Sequence, residues 1–477
     1  MKPLGVGLVY WPGLSPVVES GLVDVLEVEP QGYWRRNLRT GGEPYLVDQA
    51  ALEAIKAFSL PILVHGVGYP VGGTIAPEEL HFLFLKRCLQ ILRPPWLSEH
   101  LSFNVARRQG KPCQCGFLLP PRQTPEGVAW ATKHIGQYYD AVGLPFAFET
   151  GVNYLQPRAD EMPDGEFFAQ IAEQADCGIL LDLHNLWTNE RNGRAKVADV
   201  LARLPLERVW EIHLAGGCEF KGYWLDGHCD VVPAAVMELA QDLAPRLPNL
   251  GAIVYEILPQ HVERVGTERI MRQLERMRGI LNTREDLASP RTLATSDGTE
   301  RKAARSCAGN SSAMQWEDSL AQLMLKGVAQ TPLQAELASD RGLQVYRELS
   351  FDARCGQLAS SLELSSSVLL LSYGAAKFLE LCRGYADSTP PDLYSGHEAL
   401  RFARYLAKCE LQAPYLRDVL AFETALIEAD LEGRSTIVTF EHDPELLLTA
   451  IQRGRLPEHA LPKGHYPFII EAGREAG

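Results

Sequence analysis

The amino-acid pattern predicts an α/β protein: a (β/α)8 (TIM) barrel, then a linker, then a smaller, mainly helical domain with a few terminal strands. Three observations carry this. Eight short β-rich runs alternate with helix-length segments up to about residue 282. Ionisable residues sit at the C-terminal ends of most of those runs. From Thr283 to Ala313 the composition turns to Ser, Thr, Gly, Ala, Arg and Asp with little apolar periodicity, as expected of a linker.

The β-like runs are Leu4–Val9, Val23–Glu29, Pro61–His65, Trp96–Leu101, Phe146–Glu149, Ile179–Leu183, Val209–Leu214 and Ala252–Ile257. Between them lie helical segments such as Pro77–Leu92, Pro125–Val142, Gly165–Ala175 and Pro233–Leu243. Apolar strands alternating with helices indicate parallel strands covered on the outside. An open doubly wound sheet is the competitor, but no Gly-rich phosphate fingerprint follows the first run; Gly5-Val6-Gly7 lies inside it. Domains are therefore expected at 1–282 and 314–477, joined by a flexible linker over 283–313. In the second domain, Gln315–Val328, Pro332–Leu337, Gly342–Leu358, Ser365–Leu381, Gly396–Ala407 and Tyr415–Leu431 read as helices. Thr436–Phe440 and Tyr466–Ile470 read as strands.

A chain of 477 residues is too long for one ordinary core. With 46% hydrophobic and 22% charged residues it has the composition of a globular protein. The net charge of −14 argues against a broad nucleic-acid or anionic-membrane surface. Met1-Lys2 and the apolar Leu4–Leu14 stretch faintly imitate a signal peptide, but the Trp11-Pro12-Gly13 break and the lack of a small-residue cleavage site favour a first strand. No apolar run approaches the ~18 residues of a membrane span, so a cytoplasmic protein is expected. Ten scattered cysteines suit free thiols in a reducing compartment. Cys113-Gln114-Cys115 is the one close pair, and loop thiols are favoured there over a metal or redox site.

His65 ends the third run, His100 lies near the end of the fourth, and Glu149 ends the fifth. Asp182 and His184 belong to the sixth, His213 to the seventh and Glu256 to the eighth, with Asp226 and His228 in the loop after the seventh. In a parallel barrel these ends converge on one mouth. So many ionisable groups share a small volume only if cations neutralise them. Glu99 should face away from His100, and Glu211 should lie one layer below His213. Imidazoles mixed with carboxylates, without thiolates, suit iron, manganese or zinc, in two or three positions. Hydrolysis and oxygen activation are both open to such a centre.

These motifs resemble the multinuclear non-heme iron-dependent oxidative enzymes, the family of the methanobactin-synthesis oxidase, within the xylose-isomerase-like barrels. The resemblance spans about Gly5 to Ile280. It is carried by Val64-His65-Gly66-Val67-Gly68, Ser98-Glu99-His100-Leu101, Phe148-Glu149, Leu180-Leu181-Asp182-Leu183-His184-Asn185, Glu211-Ile212-His213-Leu214-Ala215-Gly216, Asp226-Gly227-His228 and Tyr255-Glu256. It implies one iron on His65, His100 and Glu149, a second on Glu149, Asp182, His213 and Glu256, and a more labile third on Asp226 and His228. It further implies mixed Fe(II)/Fe(III), dioxygen as co-substrate, and a ribosomally made precursor peptide modified at cysteine.

Three departures stand out. The sixth motif usually reads Asp-x-Asn-Asn; here it is Asp182-Leu183-His184-Asn185, which makes His184 and Asn185 the candidates for substrate-facing chemistry. His184 has three open readings: added ligand, substrate contact or hydrogen-bonding residue. Gln31-Gly32-Tyr33 replaces a Glu-Asn-Tyr run, and Ile257-Leu258 follow Glu256 where an acidic residue is common. The 314–477 segment resembles, more weakly, the partner proteins that present the leader peptide to these oxidases, through Tyr346–Leu371, Pro414-Tyr415-Leu416 and the terminal strands. A dimerisation domain is the other reading, which leaves room for a homodimer. The competing function is a zinc- or manganese-dependent hydrolase or sugar isomerase on the same barrel.

Overall fold

The computed structural model describes residues 3–37, 43, 45–108, 110–287 and 312–471. Eight parallel strands close into a barrel in sequential order, the last pairing with the first. They are β1 (Gly5–Val9), β2 (Val25–Val28), β3 (Ile62–Gly66), β4 (Leu97–His100), β5 (Phe146–Glu149), β6 (Gly178–Asp182), β7 (Val209–Ala215) and β8 (Ala252–Glu256). All eight expected runs are present, and the closed sheet replaces the open alternative. The strands are almost wholly buried, because helices cover the barrel outside and side chains fill it inside.

Local chemistry sets the helix ends. Thr124 caps the 125–142 helix by accepting from Gly127 N–H, Pro125 supplies its first turn, and Gly143 at φ +69° ends it. Asp182 caps the Leu183–Arg191 helix by accepting from Asn185 N–H. This corrects the sixth run: the strand stops at Asp182, and His184 sits in the first turn of a helix. Three antiparallel strand pairs were not expected from the sequence, at 34–36/45–47, 103–108/111–119 and 218–220/223–225. They decorate the loops after β2, β4 and β7, on the mouth side.

Beyond the barrel, helices span Ser312–Lys326, Pro332–Ser339, Arg341–Ser361, Glu363–Ser388, Ser395–Leu406, Leu416–Glu432 and the unexpected Pro444–Gln452. Thr436–His442 pairs antiparallel with Lys463–Ile470. The 267–287 helix reaches into the expected linker, whose remainder, 288–311, lies outside the described residues. The C-terminal region has two cores. One, around Leu358, Leu369, Phe402, Val419 and Phe440, is its own. The other merges Trp316, Leu320, Leu343 and Tyr346 with Phe103, Leu119, Tyr154 and Tyr223 from the barrel's mouth loops. Contact there is so close that a Cβ on Gly342 would lie 2.0 Å from the Tyr154 carbonyl oxygen. Cys115 is buried in this shared core, and the nine cysteines within the described residues are free thiols.

Candidate metal centre

Strands β3, β4 and β5 bring His65, His100 and Glu149 together. Register pairs His100 with Glu149 across β4 and β5, so both side chains rise into the same layer. The Nε2 atoms of His65 and His100 lie 3.3 and 3.0 Å from one oxygen, Glu149 Oε2. The other ring nitrogens decide what faces that oxygen. His100 Nδ1 is 3.1 Å from the Gly66 carbonyl, which can only accept, so the proton sits on Nδ1. His65 Nδ1 is 2.9 Å from Ser98 Oγ, whose own hydrogen goes to the Val64 carbonyl. In the neutral rings two nitrogen lone pairs therefore point at a carboxylate oxygen. That arrangement is repulsive unless ring protons or a metal cation sit among them.

A second group follows around the barrel: Glu149, Asp182, His213 and Glu256 offer ligand atoms within 4.8 Å of one another. His213 Nδ1 is 3.2 Å from Glu256 Oε1. Asp182 spends Oδ1 on the helix cap, 2.7 Å from Asn185 N, and Oδ2 has no hydrogen-bond partner. The same holds for Glu149 Oε2, Glu256 Oε2, His65 Nε2 and both His213 nitrogens, all buried. Buried polar atoms are normally paired, and here the orphans converge.

The loop after β7 adds Asp226 and His228. His228 Nε2 lies 3.0 Å from Asp226 Oδ1 and 3.3 Å from Glu256 Oε2. Asp226 N–H donates to the Tyr154 hydroxyl at 3.0 Å. Trp224 Nε1–H donates to His184 Nε2 at 3.1 Å, so the His184 proton sits on Nδ1, 2.9 Å from Asp226 Oδ1. With both ring nitrogens engaged, the geometry favours the hydrogen-bonding reading of His184, which holds Asp226 in place. Asn185 Nδ2 is 3.4 Å from Glu149 Oε1.

Electrostatics within the cluster is frustrated. Burial pushes the Asp182 carboxyl well above the usual range, and Asp226, Glu149 and Glu256 push it further. Burial also opposes charge on Glu149 and Glu256, yet neighbouring imidazoles hold both below the ordinary carboxylate range. Burial disfavours a charged His100, but Glu149 and Glu99 raise it to about 10. Alternating shifts of this size among touching groups mark a functional cluster. A bound cation would relieve them all.

A family model for the "RiPP precursor modification enzyme MbnB/TglH/ChrH" matches residues 5–262. The chain belongs to this family. A UPF0276 protein of Anaeromyxobacter sp. (strain Fw109-5) is 32% identical over 234 residues, 48% of this chain and 80% of that protein. Another, from Chromobacterium violaceum, is 30% identical over 228 residues, 47% of this chain and 79% of that one. Among solved structures, a xylose isomerase domain protein from Planctomyces limnophilus covers 60% of this chain and 99% of its own at 15% identity, with a TM-score of 0.39. The protein is thus a RiPP precursor modification enzyme on a closed eight-stranded parallel barrel, with buried His, Glu and Asp clusters suited to metal ions.

In this family member a cavity of about 390 Å³ opens above the cluster. His100, Glu149, Asn185, Asp226 and His228 form its polar end, and its walls include Phe117, Leu119, Pro120, Val152 and Phe167. Glu99, expected to face away from His100, stays beside it: its Oε1 accepts from His100 N–H at 3.0 Å and lies 3.6 Å from His100 Nδ1. Glu211 lies below the mouth, 3.6 Å from His213 Nε2. Glu27 and Glu29 of the second run were missed. Burial pushes Glu27 up to about 8 while His213 opposes, and burial raises Glu29 while His65 opposes. The signal was available: Val25-Leu26-Glu27-Val28-Glu29 places two carboxylates two apart, hence on one face, inside an apolar run. No helix among the described residues is long and apolar enough to cross a membrane.

Proposed function

We propose that this chain is a multinuclear non-heme iron, dioxygen-dependent oxidase that modifies a ribosomally made precursor peptide at cysteine. The observation that carries it is the set of lone pairs meeting at Glu149 Oε2, continued by the orphaned oxygens of Asp182 and Glu256. The donor set of nitrogens and oxygens fits iron. His65, His100 and Glu149 would hold one ion, and Glu149, Asp182, His213 and Glu256 a second. Asp226 and His228 complete a third position. Bound iron supplies oxygen activation and a place for a substrate thiolate.

The chain's own residues do the rest. Ser98 and the Gly66 carbonyl fix which nitrogens of His65 and His100 face the centre, and His184 and Tyr154 fix Asp226. The apolar cavity walls exclude water and leave Asn185 as a polar contact beside Glu149. For the 314–477 segment, a leader peptide is the occupant we favour. Support comes from the 436–442/463–470 strand pair, whose Ile437 and Ile469 are 65% and 66% exposed and suit edge addition.

Metal analysis of fresh protein, with Mössbauer spectra of an iron-57 preparation, tests the reading. Two or three irons per chain with coupled ferrous and ferric signals are expected. A single zinc, with turnover that needs no oxygen, would select the hydrolase or isomerase instead. For the leader, precursor peptides encoded beside the gene should bind the full chain and lose affinity to Ile437→Glu. Equal binding would count against the C-terminal role.

A further inference from the structure

His213 has a carboxylate beside each of its two ring nitrogens. Nδ1 looks up at Glu256 Oε1, 3.2 Å away. Nε2 looks down at Glu27 Oε1, 3.0 Å away, with Glu211 Oε1 at 3.6 Å. Glu27 and Glu211 are both 0% exposed. Trp96 Nε1–H anchors Glu211 by donating to its Oε2 at 2.8 Å, which leaves Glu211 Oε1 and both Glu27 oxygens without a partner of their own. Two carboxylates in the barrel interior are costly, and nothing in the reading so far uses them.

We propose that Glu27, backed by Glu211 and Trp96 and 3.0 Å from His213 Nε2, is a positioning residue: with a metal bound it accepts the Nε2 proton of His213 and so aims the Nδ1 lone pair at the mouth. An imidazole that binds a metal through one nitrogen needs its other N–H held by an acceptor, which fixes tautomer and ring angle and strengthens the ligand. The stack Trp96–Glu211/Glu27–His213–Glu256 supplies that hold from strands β2 and β7, opposite the mouth. The role rests on the metal reading above. Because Glu27 lies below the ligand layer, it acts only through His213.

Metal-free wild-type protein, Glu27→Gln and Glu27→Asp are titrated anaerobically with ferrous iron against a chromophoric chelator, and each metal-free form is melted. Wild type should load two or three ions. Both variants should reach the same number, with one ion bound about 10- to 100-fold more weakly. The metal-free melting point of Glu27→Gln should stay level or rise, since a buried carboxylate has been neutralised. Wild-type affinity in both variants would overturn the proposal, as would a lower metal-free melting point with affinity intact, the mark of a structural role. One ion fewer at saturation, with the others unchanged, would overturn it in favour of a separate metal on Glu27, Glu211 and His213. A wild type that takes no metal would remove the metal reading itself, an outcome distinct from the rest.

Discussion

Two polar regions of this protein lie close together and obey opposite rules. At the barrel mouth Glu149 Oε2, Asp182 Oδ2, Glu256 Oε2 and His65 Nε2 are buried without a hydrogen-bond partner. Where the 312–361 helices dock on the mouth loops, buried polar groups of the helices pair with the loops. Glu317 accepts from Thr74 N–H at 2.7 Å and from Thr74 Oγ1 at 2.5 Å. Trp316 Nε1–H donates to the Pro120 carbonyl, and the Tyr346 hydroxyl accepts from Tyr154 N–H. Satisfied buried polarity holds one structure in place. Unsatisfied polarity on one convergent set of atoms suits a metal ion.

The largest effect should come from the mouth. His65→Ala, His100→Ala and Asp182→Ala should each lower metal content and abolish peptide modification while the fold survives, as metal assay and circular dichroism would show. Normal iron loading in all three would erase the contrast between the regions. Gly342→Ala should do the reverse. Its new Cβ would press on the Tyr154 carbonyl, costing about 1–3 kcal/mol of stability by overpacking, readable in urea denaturation. Unchanged stability would mean the docking interface yields easily.

Asp226→Ala should lose only the weakest ion, because Asp226 belongs to the loop and shares neither His65 nor Asp182; equal loss of every ion would merge the proposed positions into one. Glu317 adds a pH test of the paired region. Burial pushes its carboxyl up to about 8, against the Thr74 hydrogen bonds. A folded value above the unfolded one means that its stabilising contribution is present below about pH 4.5 and is lost as pH rises through 8. Glu317→Gln should therefore flatten the fall in stability across that window, and parallel curves for both proteins would contradict the assignment. Tyr346→Phe should cost least, about 1 kcal/mol, because one hydroxyl serving Tyr154 N–H and the Val152 carbonyl is removed.

The convergence of the candidate residues was legible because it depends on periodicity. Strand ends in a parallel barrel share one mouth, so apolar runs ending in His65, Glu149 or Glu256 place those side chains together before any coordinate is known. The same alternation placed Glu211 below the mouth, whereas the Glu99 carboxylate reaches back to His100, which alternation alone does not foresee. Glu27 obeys the alternation too, but a carboxylate inside an apolar strand carries no strand-end signal of its own.

The helix that starts at Leu183, which removes His184 from the strand, was hidden because Asp182 is both strand end and helix cap. Its cap bond to Asn185 is local, but the partners of His184, Trp224 and Asp226, lie some 40 residues away.

By itself, then, the sequence determined the barrel, its eight strands and the layer in which each candidate ligand lies, since these follow from side-chain period and chain order. Only the tertiary structure decided which nitrogen of each histidine faces the centre, because that depends on acceptors such as the Gly66 carbonyl, Ser98 and Glu27 brought from neighbouring strands. It also decided that the 312–346 helices share a core with the mouth loops. That union joins segments about 200 residues apart in the chain, a separation at which no local pattern carries information.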